Sequence, residues 1–245
     1  MALTLAIPSK GRLKEACDTW FSGAGLTLEQ TAGARGYRGV FAGFPGVEVM
    51  LLSAGEIASS LAAGDIHLGV SGEDLLREAA PELENRMHLV CPMGFGFADV
   101  VVAVSQYWID VSTMADLDDV CVAYAARHHK RLRVATKYAQ QTRSFFAHNG
   151  IADYRIVPSA GTTEAAPAAG TAEVIVDITT TGSTLKANGL KILDDGLIRK
   201  SQAQLAASLS ADWDAETRAA CEKLLAKLSA KAGSPLYPAL ASRIK

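Results

Sequence analysis

The chain has 245 residues, of which 49% are apolar and 20% charged, so it is long enough to bury a substantial core in one large or two small domains. Its 24 basic and 26 acidic residues leave a net charge of −2, which gives no electrostatic footprint for nucleic acid or for an anionic membrane. No segment has the length and apolarity of a membrane span or of a secretion signal, and the four cysteines are scattered without metal-binding spacing. We therefore expect a cytoplasmic protein with reduced thiols.

The first predicted elements are a strand, a turn and a helix. Leu3–Pro8 forms the strand, Ser9-Lys10-Gly11-Arg12 forms the turn, and apolar residues then recur at helical spacing up to residue 23. Lys10 and Arg12 thus lie at a helix start, where positive charges oppose the helix dipole. A bound anion would relieve this conflict, so we favour phosphate contact over two solvated charges.

A second turn of the same kind follows a buried strand at residues 66–70. It combines a hydroxyl and a glycine ahead of a helix, as the first turn does. The candidate ligands that it contributes are Ser71, Gly72 and Asp74.

The middle of the chain contains a predicted hinge, a strand and a short helix. The hinge is the glycine-rich run 94–97, the strand covers residues 99–105, and the helix covers 112–119 with Ser112 as its cap. The basic run 127–133 that follows fits a solvated loop, and it is weak evidence for nucleic-acid contact on a nearly neutral chain.

A third strand–turn–helix covers residues 133–148 and collects hydrogen-bond donors around the first turns of its helix. The helix is predicted over 138–148, because Asn149-Gly150 is a typical helix end. The donors are Arg133, Thr136, Lys137, Thr142 and Arg143.

The most informative stretch is an apolar strand from Glu173 to Ile178 that changes within three residues into a hydroxyl-rich turn, Thr179–Thr184. Such a turn before a short helix presents backbone N–H groups and hydroxyls to phosphate, and Gly182 permits a positive φ or a close approach. Glu173 and Asp177 are four residues apart on a strand, so both point to one face, where carboxylates suit ribose hydroxyls. An ordinary N-cap explains only Thr181 or Ser183 alone.

The chain ends with a predicted strand pair, an amphipathic helix and a tail. The strands cover residues 190–193 and 198–206, and the helix runs from Asp214, its cap, to Ala230. The tail from residue 233 to 245 is predicted either to dock on a partner or to be loose.

Strands alternate with helices almost throughout the chain. This pattern predicts an α/β protein with mostly parallel sheets and helices on both faces. Because ligands in such sheets bind beyond the carboxyl ends of the strands, two lobes facing a shared cleft would bring the phosphate-type turns together.

The order and spacing of five motifs resemble the ATP phosphoribosyltransferase family over residues 3–208. Ser9 interrupts the family's commoner Pro-Lys-Gly-Arg spacing, and Glu173 stands where the family often has Asp. The motifs are Pro8–Leu13, Gly64–Asp74, Arg133–Phe146, Gly161–Pro167 and Asp177–Leu190.

The resemblance implies a two-lobed fold like the type II periplasmic binding proteins. Its first lobe would comprise residues 1–97 and 195–245, and its second lobe, with the phosphate loop, residues 98–194. It also implies transfer of the phosphoribosyl group of phosphoribosyl pyrophosphate to N1 of the adenine of ATP, which is the first step of histidine biosynthesis. Mg²⁺ would be held mainly by substrate phosphates and not by a set of protein ligands.

The turns and the resemblance together nominate the site residues. The catalytic candidates are Lys10, Arg12 and Asp177. The substrate-binding candidates are Ser9, Gly11, Ser71, Gly72, Asp74, Arg133, Thr136, Lys137, Thr142, Arg143, Gly161, Glu164, Glu173, Thr179, Thr180, Thr181, Gly182, Ser183 and Thr184.

Only one helix and a tail are predicted after residue 208, which resembles the short form of the family. This form implies a homodimer within a hetero-oligomer, with a regulatory subunit resembling histidyl-tRNA synthetase. Two other functions remain open: a non-enzymatic two-lobed protein that binds a small anion or a nucleotide, and a nucleobase phosphoribosyltransferase. The latter would usually show two adjacent acids before its turn, whereas Val176 precedes Asp177 here.

Overall fold

The computed structural model describes residues 2–30, 37–159 and 161–244. The chain divides into two compact units: unit 1 comprises Met1–Gly96 and Gln202–Lys245, and unit 2 comprises Phe97–Ser201. Each unit contains one β-sheet with helices packed on it.

In chain order the strands are β1 (Leu3–Pro8), β2 (Leu28–Gln30), β3 (Arg38–Phe41), β4 (Phe44–Leu52), β5 (Leu68–Gly72), β6 (Met87–Pro92), β7 (Ala98–Ser105), β8 (Leu132–Thr136), β9 (Tyr154–Pro158), β10 (Val174–Thr179), β11 (Leu190–Ser201) and β12 (Ala203–Ser208). The helices are α1 (Gly11–Gly23), α2 (Ala54–Ala63), α3 (Glu73–Ala79), α4 (Leu83–Arg86), α5 (Met114–His128), α6 (Ala139–His148), α7 (Ser183–Ala187), α8 (Ala215–Ala232) and α9 (Tyr237–Ala241). A 3-10 turn covers Thr163–Ala165.

The sheet of unit 1 has the strand order β2-β3-β4-β1-β5-β12-β6. Its central strands β4, β1 and β5 are parallel, so their carboxyl ends share one edge of the sheet. Side chains of β1 alternate between the two faces: Leu5 and Ile7 pack in a core with α1 and α8, whereas Ala6 packs with α2 and α3. Helices therefore cover both faces of this sheet, as the sequence predicts.

The sheet of unit 2 has the order β11-β7-β10-β8-β9. Strands β10, β8 and β9 are parallel, and β7 and β11 are antiparallel to their neighbours. The α/β class is thus confirmed, but the sheets are mixed and not mostly parallel. The reason is that β3, β7 and β12 each run antiparallel to the strands on both sides of them.

The region around residue 195 differs from its prediction. Strand β11 continues to pair with β7 as far as Ser201 and Ala98, so unit 2 extends beyond the predicted boundary at residue 195. The segment predicted as one strand over 198–206 is divided at Gln202, where the chain passes from one sheet to the other.

Two further elements are longer or better packed than predicted. Helix α5 begins after Thr113, not Ser112, and runs on to His128, so the basic run starts in the last turn of a helix. There its positive charges interact favourably with the negative end of the helix dipole. In the tail, Leu240 and Ile244 are buried in the core of unit 1, so the described part of the tail packs on its own unit.

The cysteines are all free and buried, which agrees with the predicted reduced thiols. None of the described helices combines the length and apolarity that a membrane span requires.

Candidate functional site

Three connections of unit 2 meet at the carboxyl edge of its sheet. Val176 of β10 is level with Thr136 of β8, which is level with Pro158 of β9. The residues that follow these positions, Asp177 and Lys137 among them, therefore lie at one edge. The structure thus brings together the predicted third turn and the predicted phosphate loop.

The loop Thr179–Thr184 turns through Gly182, whose φ of +73° lies in the left-handed region and confirms the predicted need for glycine. The Thr179 hydroxyl accepts the Gly182 N–H at 2.8 Å, and the hydroxyls of Thr181 and Ser183 are 2.9 Å apart. These bonds fix the backbone of the loop. The Thr184 side chain is exposed, and its hydroxyl has no hydrogen-bond partner among the described residues.

Within the described parts of the chain, the Thr180 hydroxyl makes one weak hydrogen bond, to the carbonyl oxygen of Phe97 at 3.4 Å. The first N–H groups of a helix have no intrahelical acceptor, so the start of α7 adds backbone donors to this loop. The loop as a whole therefore has donor groups to offer to an anion.

Asp177 is the carboxylate closest in sequence to this loop. Its Oδ1 accepts the backbone N–H of Ile178 at 2.8 Å and lies 4.0 Å from Lys137 Nζ. Burial raises the pKa of Asp177, and the charge of Glu164 acts in the same direction, against the hydrogen bonds from Ile178 and Thr163 and the charge of Lys137. Because an ionised carboxylate offers about four acceptor positions, capacity for a ligand's hydroxyl groups remains.

Thr163 is a site residue that sequence reasoning did not select, although it stands in the quoted Gly161–Pro167 motif. Its side chain is buried, and its hydroxyl lies 2.9 Å from the Ser159 hydroxyl and 3.5 Å from the Gly161 carbonyl oxygen. The predicted ligands on either side of it differ: Gly161 is exposed, whereas Glu164 is half-buried near Asp177. Ala160, directly before this motif, lies outside the described residues.

Arg133 and Glu173 lie at the opposite edge of the sheet and bind each other. Arg133 Nη2 is 2.5 Å from Glu173 Oε1, and the Arg133 backbone N–H donates to Glu173 Oε2 at 2.8 Å. The Tyr124 hydroxyl adds a third donor at 3.2 Å. Both predicted ligands are therefore engaged in a structural ion pair.

The two acids predicted to act together are consequently far apart. Glu173 and Asp177 do share a face, but four residues along a strand correspond to about 13 Å. Glu173 contacts the start of β8, and Asp177 lies at the end of β10. The predicted joint contact with ribose is therefore not supported for Glu173.

The donors around α6 separate into buried and exposed groups. The buried hydroxyl of Thr136 accepts the Tyr138 N–H at 2.8 Å, and that of Thr142 donates to the Tyr138 carbonyl at 2.6 Å. Both hydroxyls serve the local backbone and are not presented to a ligand. The side chains of Lys137 and Arg143 are exposed.

In unit 1, the first predicted turn follows β1 at the carboxyl edge of the sheet. The Ser9 N–H donates to the Leu52 carbonyl at 2.8 Å, which ties this turn to the end of β4. Gly11 has a φ of +75°, and no heavy atom lies within 4 Å of the place where a Cβ would be. Lys10 and Arg12 are exposed at the start of α1, which has no acidic residue in its first turn.

The second turn of unit 1 is mainly structural. The Ser71 hydroxyl is fully buried and donates to the Ala54 carbonyl at 2.8 Å, so it is not available to a ligand. A Cβ at Gly72 would lie 2.3 Å from Asp74 Oδ1, which explains the glycine by packing. The Asp74 side chain is itself buried.

Among the described residues, no group of three or more His, Cys, Asp or Glu side chains could hold a metal ion. The acids near the phosphate loop are Asp177 and Glu164. These oxygen donors fit Mg²⁺, which commonly takes one or two carboxylates and completes its shell with substrate phosphates and water.

Comparison with known proteins gives a consistent result. The model of the family HisG, ATP phosphoribosyltransferase, matches residues 53–230. An ATP phosphoribosyltransferase from Caulobacter vibrioides (strain NA1000 / CB15N) is 58% identical over 229 residues, which cover 94% of this chain and 72% of the relative. Another, from Rhodopseudomonas palustris (strain HaA2), is 56% identical over 239 residues, or 98% of this chain and 74% of the relative.

Solved structures agree. One chain of the ATP phosphoribosyl transferase (HisG:HisZ) complex from Thermotoga maritima matches with a TM-score of 0.68 and 25% identity, over 94% of this chain and 97% of that one. The Bordetella pertussis BvgS VFT2 domain shares the fold, with a TM-score of 0.51 and 13% identity over 98% of this chain and 90% of that one. Identity of this extent to ATP phosphoribosyltransferases is not expected for a non-enzymatic binding protein or for a nucleobase phosphoribosyltransferase. This chain belongs to the ATP phosphoribosyltransferase family, the transferases of the first step of histidine biosynthesis.

Proposed function

We propose that the loop Thr179–Thr184 binds the 5′-phosphate of phosphoribosyl pyrophosphate. Gly182 turns the chain into α7, where the Ser183 N–H donates to the Thr181 hydroxyl, and the next N–H groups and the exposed Thr184 hydroxyl remain available as donors. Each charge-assisted hydrogen bond of this kind contributes about 1.5–3 kcal/mol. The observation that carries the proposal is this donor-rich loop directly after Asp177.

In this arrangement Asp177 orients the ribose. Its carboxylate lies two residues before the loop and keeps acceptor capacity after its bond to the Ile178 N–H. A ribose whose phosphate occupies the loop would therefore find an acceptor for its hydroxyl groups at the end of the same strand. Lys137, 4.0 Å from Asp177, keeps a positive charge near the carboxylate and the bound sugar phosphate.

The reaction joins adenine N1 of ATP to C1 of the ribose while pyrophosphate leaves. The protein contributes by aligning the two substrates and by stabilising the charge that develops on the leaving group. Lys10 and Arg12 are the proposed contacts to pyrophosphate or triphosphate, because both are exposed and neither has an ion-pair partner among the described residues. Arg143 is a further exposed candidate, whereas Arg133 is committed to Glu173.

When bound with the substrate, Mg²⁺ supplies positive charge to the pyrophosphate oxygens. The carboxylates of Asp177 and Glu164 are the residues of unit 2 that would face it, with substrate and water as the remaining ligands.

The proposed partner is supported by the Thermotoga maritima complex, in which a chain of similar length and fold occurs together with HisZ. We expect a partner of that type, a subunit resembling histidyl-tRNA synthetase, to regulate this chain within a hetero-oligomer that contains a homodimer.

The test is the formation of phosphoribosyl-ATP from ATP, phosphoribosyl pyrophosphate and Mg²⁺, followed by the change in adenine absorbance, with and without a HisZ-type partner. Product in the presence of the partner, and its loss in Asp177→Ala, supports the proposed site. Absence of product in both reactions, with the partner shown to bind, would contradict the proposed activity. Normal kinetics in Asp177→Ala would contradict the placement of the ribose.

A further inference from the structure

Strand β11 carries a lysine at the edge of the unit 2 sheet where the proposed phosphate loop lies. Lys200 is paired with Asp99 at the start of β7, and Asp99 is paired on its other side with Thr179, the first residue of the loop. Lys200 and Thr179 are therefore level with each other, with one strand between them. Since each pair of neighbouring strands is about 4.8 Å apart, the backbones of the two residues are about 10 Å apart.

The pairing also decides to which face Lys200 points. Val101 of β7 lies in one core cluster with Leu185 of α7, so Asp99, two residues before Val101, points to the same face. Residues directly opposite each other in a sheet share a face. The side chains of Lys200 and Thr179 therefore both lie on the face that α7 covers.

A β-bulge in β11 produces this orientation. Leu197 stands opposite Val101. The next pair is Arg199 with Val100, so two steps along β11 match one step along β7. In a regular ladder Lys200 would point to the other face, because one residue of register reverses every side chain. Bulges commonly re-aim a side chain beside an active site, and this one turns Lys200 toward the loop.

The neighbouring arginine agrees with this change of register. The Arg199 side chain lies on the face away from α7, where its Nε donates to Oε1 of Gln141 in α6 at 3.2 Å. Lys200, by contrast, is exposed, and its ammonium forms no ion pair with any residue that the structure describes. Of two adjacent basic residues, one is thus held by the protein and the other keeps its charge for a ligand.

The phosphate loop itself reaches across β7 toward β11. The Thr180 hydroxyl donates to the carbonyl oxygen of Phe97, directly before β7, at 3.4 Å. A Cβ at Gly182 would have Ile192 Cδ1 of β11 as its nearest neighbour, at 3.9 Å, and α7 then packs on β11. A phosphate on this loop would therefore lie on the side of Lys200, and the flexible four-carbon stem of lysine lets the ammonium extend toward it.

We propose that Lys200 donates to the 5′-phosphate of phosphoribosyl pyrophosphate. The inference rests on the proposed binding of this phosphate by the loop Thr179–Thr184, which contains no basic residue of its own. A lysine ammonium binds phosphate as a point charge with three donors. Strand β11 thus adds from its own edge of the sheet the positive charge that the loop lacks.

The direct test is Lys200→Met, which keeps the length of the side chain and removes its charge. With the HisZ-type partner present, we expect KM for phosphoribosyl pyrophosphate to rise about tenfold, because a hydrogen bond between charged groups is lost. KM for ATP should stay within about twofold, and Lys200→Arg, which keeps the charge, should recover most of the affinity. An unchanged KM for phosphoribosyl pyrophosphate in Lys200→Met would overturn the proposal.

Two inhibitors locate the contact on the substrate. Ribose 5-phosphate carries the 5′-phosphate alone, and pyrophosphate represents the leaving group alone. Lys200→Met should raise the inhibition constant of ribose 5-phosphate by the same factor as KM and leave that of pyrophosphate unchanged. The opposite pattern would place Lys200 at the leaving group and overturn the assigned contact.

Neutralisation of Asp99, a carboxylate beside the loop, is a simpler role for Lys200, since opposite charges directly across a sheet attract. If this were its whole role, Asp99→Asn would remove the need for the lysine. We expect instead that Lys200→Met raises KM about tenfold in the Asp99→Asn background as well. A double variant with the same KM as Asp99→Asn would overturn the phosphate contact.

A matched control is Lys191→Met at the other end of β11. Lys191 is paired with Val104, five residues beyond Asp99 on β7 and thus about 17 Å from it. This change removes the same charge from the same strand, and its kinetic constants should match those of the wild type. Equal effects of Lys191→Met and Lys200→Met would show a general effect of charge and overturn the specific role of Lys200.

Thr184→Ala distinguishes this inference from the proposed function. A raised KM for phosphoribosyl pyrophosphate in Thr184→Ala, with normal constants in Lys200→Met, would refute the role of Lys200 alone. Normal constants in both variants would refute the binding of the 5′-phosphate by the loop, and this inference with it. A rise in both variants, with the ATP constants unchanged, is the expected result.

Discussion

Both ends of strands β8 and β10 in unit 2 carry a carboxylate and a basic side chain, but the two groups are in close contact at one end and farther apart at the other. At the amino end, the carboxylate of Glu173 receives donors from the Arg133 side chain and backbone and from Tyr124. At the carboxyl end, Asp177 has Lys137 only at 4.0 Å, beside a loop with exposed hydroxyls. The amino end is satisfied within the protein, and the carboxyl end keeps its capacity for a ligand.

The pKa directions express the same difference. Burial alone would raise the pKa of Glu173, but hydrogen bonds and charge from Arg133, with the Tyr124 bond, outweigh it and lower the pKa. Burial raises the pKa of Asp177, and its hydrogen bonds and Lys137 do not compensate. A carboxylate that the protein leaves incompletely stabilised is typical of a functional site.

The largest expected effect is that of Asp177→Ala. Loss of the acceptor for ribose hydroxyls should lower kcat/KM for phosphoribosyl pyrophosphate by about a hundredfold or more, because hydrogen bonds to a charged group contribute about 1.5–3 kcal/mol each. Steady-state kinetics with each substrate varied in turn would measure this, and circular dichroism would check the fold. A change confined to the kinetic constants for ATP would show that the carboxylate contacts ATP and not the ribose of phosphoribosyl pyrophosphate.

Thr184→Ala should have the next largest effect. Its exposed hydroxyl is proposed to donate to the 5′-phosphate, so we expect KM for phosphoribosyl pyrophosphate to rise about tenfold. Lys186→Ala, an exposed change in the same helix, provides a comparison for non-specific effects of this surface. Equal constants for Thr184→Ala and the wild type would remove this hydroxyl from the phosphate site.

At the opposite edge, Glu173→Gln should change stability and leave kinetics nearly unaltered. We expect the free energy of unfolding to fall by about 1–2 kcal/mol, because the pair with Arg133 is only partly exposed. The control is Glu48→Gln, which breaks the more exposed pair with Arg38 and should cost only a few tenths of a kcal/mol. A large loss of activity in Glu173→Gln with an unchanged melting temperature would show that Glu173 contacts substrate.

The pH dependence of stability should have opposite signs at the two ends. The lowered pKa of Glu173 stabilises the fold above the usual value of 4.5, and this contribution is lost as pH falls through the folded-state pKa. The raised pKa of Asp177 means that stability is lost as pH rises from the usual value of 3.8 through the folded-state pKa. At neutral pH, Asp177→Asn should therefore melt at the same or a slightly higher temperature and Glu173→Gln at a lower one. Denaturant titrations from pH 3 to 7 would test both slopes.

The smallest expected effect is that of Thr142→Val. Its buried hydroxyl donates to the Tyr138 carbonyl one helical turn earlier, so the change should cost about 1 kcal/mol or less and leave both KM values unchanged. A rise in either KM would show that this residue, which the sequence nominated as a ligand, does reach substrate.

Local chemistry in the sequence predicted much of the fold and the centre of the site. Asp214 caps α8 and Gly182 has its positive φ, as predicted, because each feature depends on residues within a few positions of one another. The directions of β7 and β12 could not be predicted, since they depend on which distant strand each one pairs with.

The sequence by itself determined the α/β elements, the phosphate-type loop and the carboxylate before it, because hydrophobic periodicity and turn chemistry act over short distances. Only the tertiary structure decided which nominated side chains remain free to bind. Arg133 and Glu173 are 40 residues apart in sequence and pair with each other in the fold. The hydroxyls of Ser71 and Thr142 donate to backbone carbonyls. The same packing brings Glu164, from the connection after β9, near Asp177 of β10, although β8 lies between these two strands in the sheet. A donor or acceptor is functional only if the folded chain leaves it unsatisfied, and that depends on partners that the local sequence does not contain.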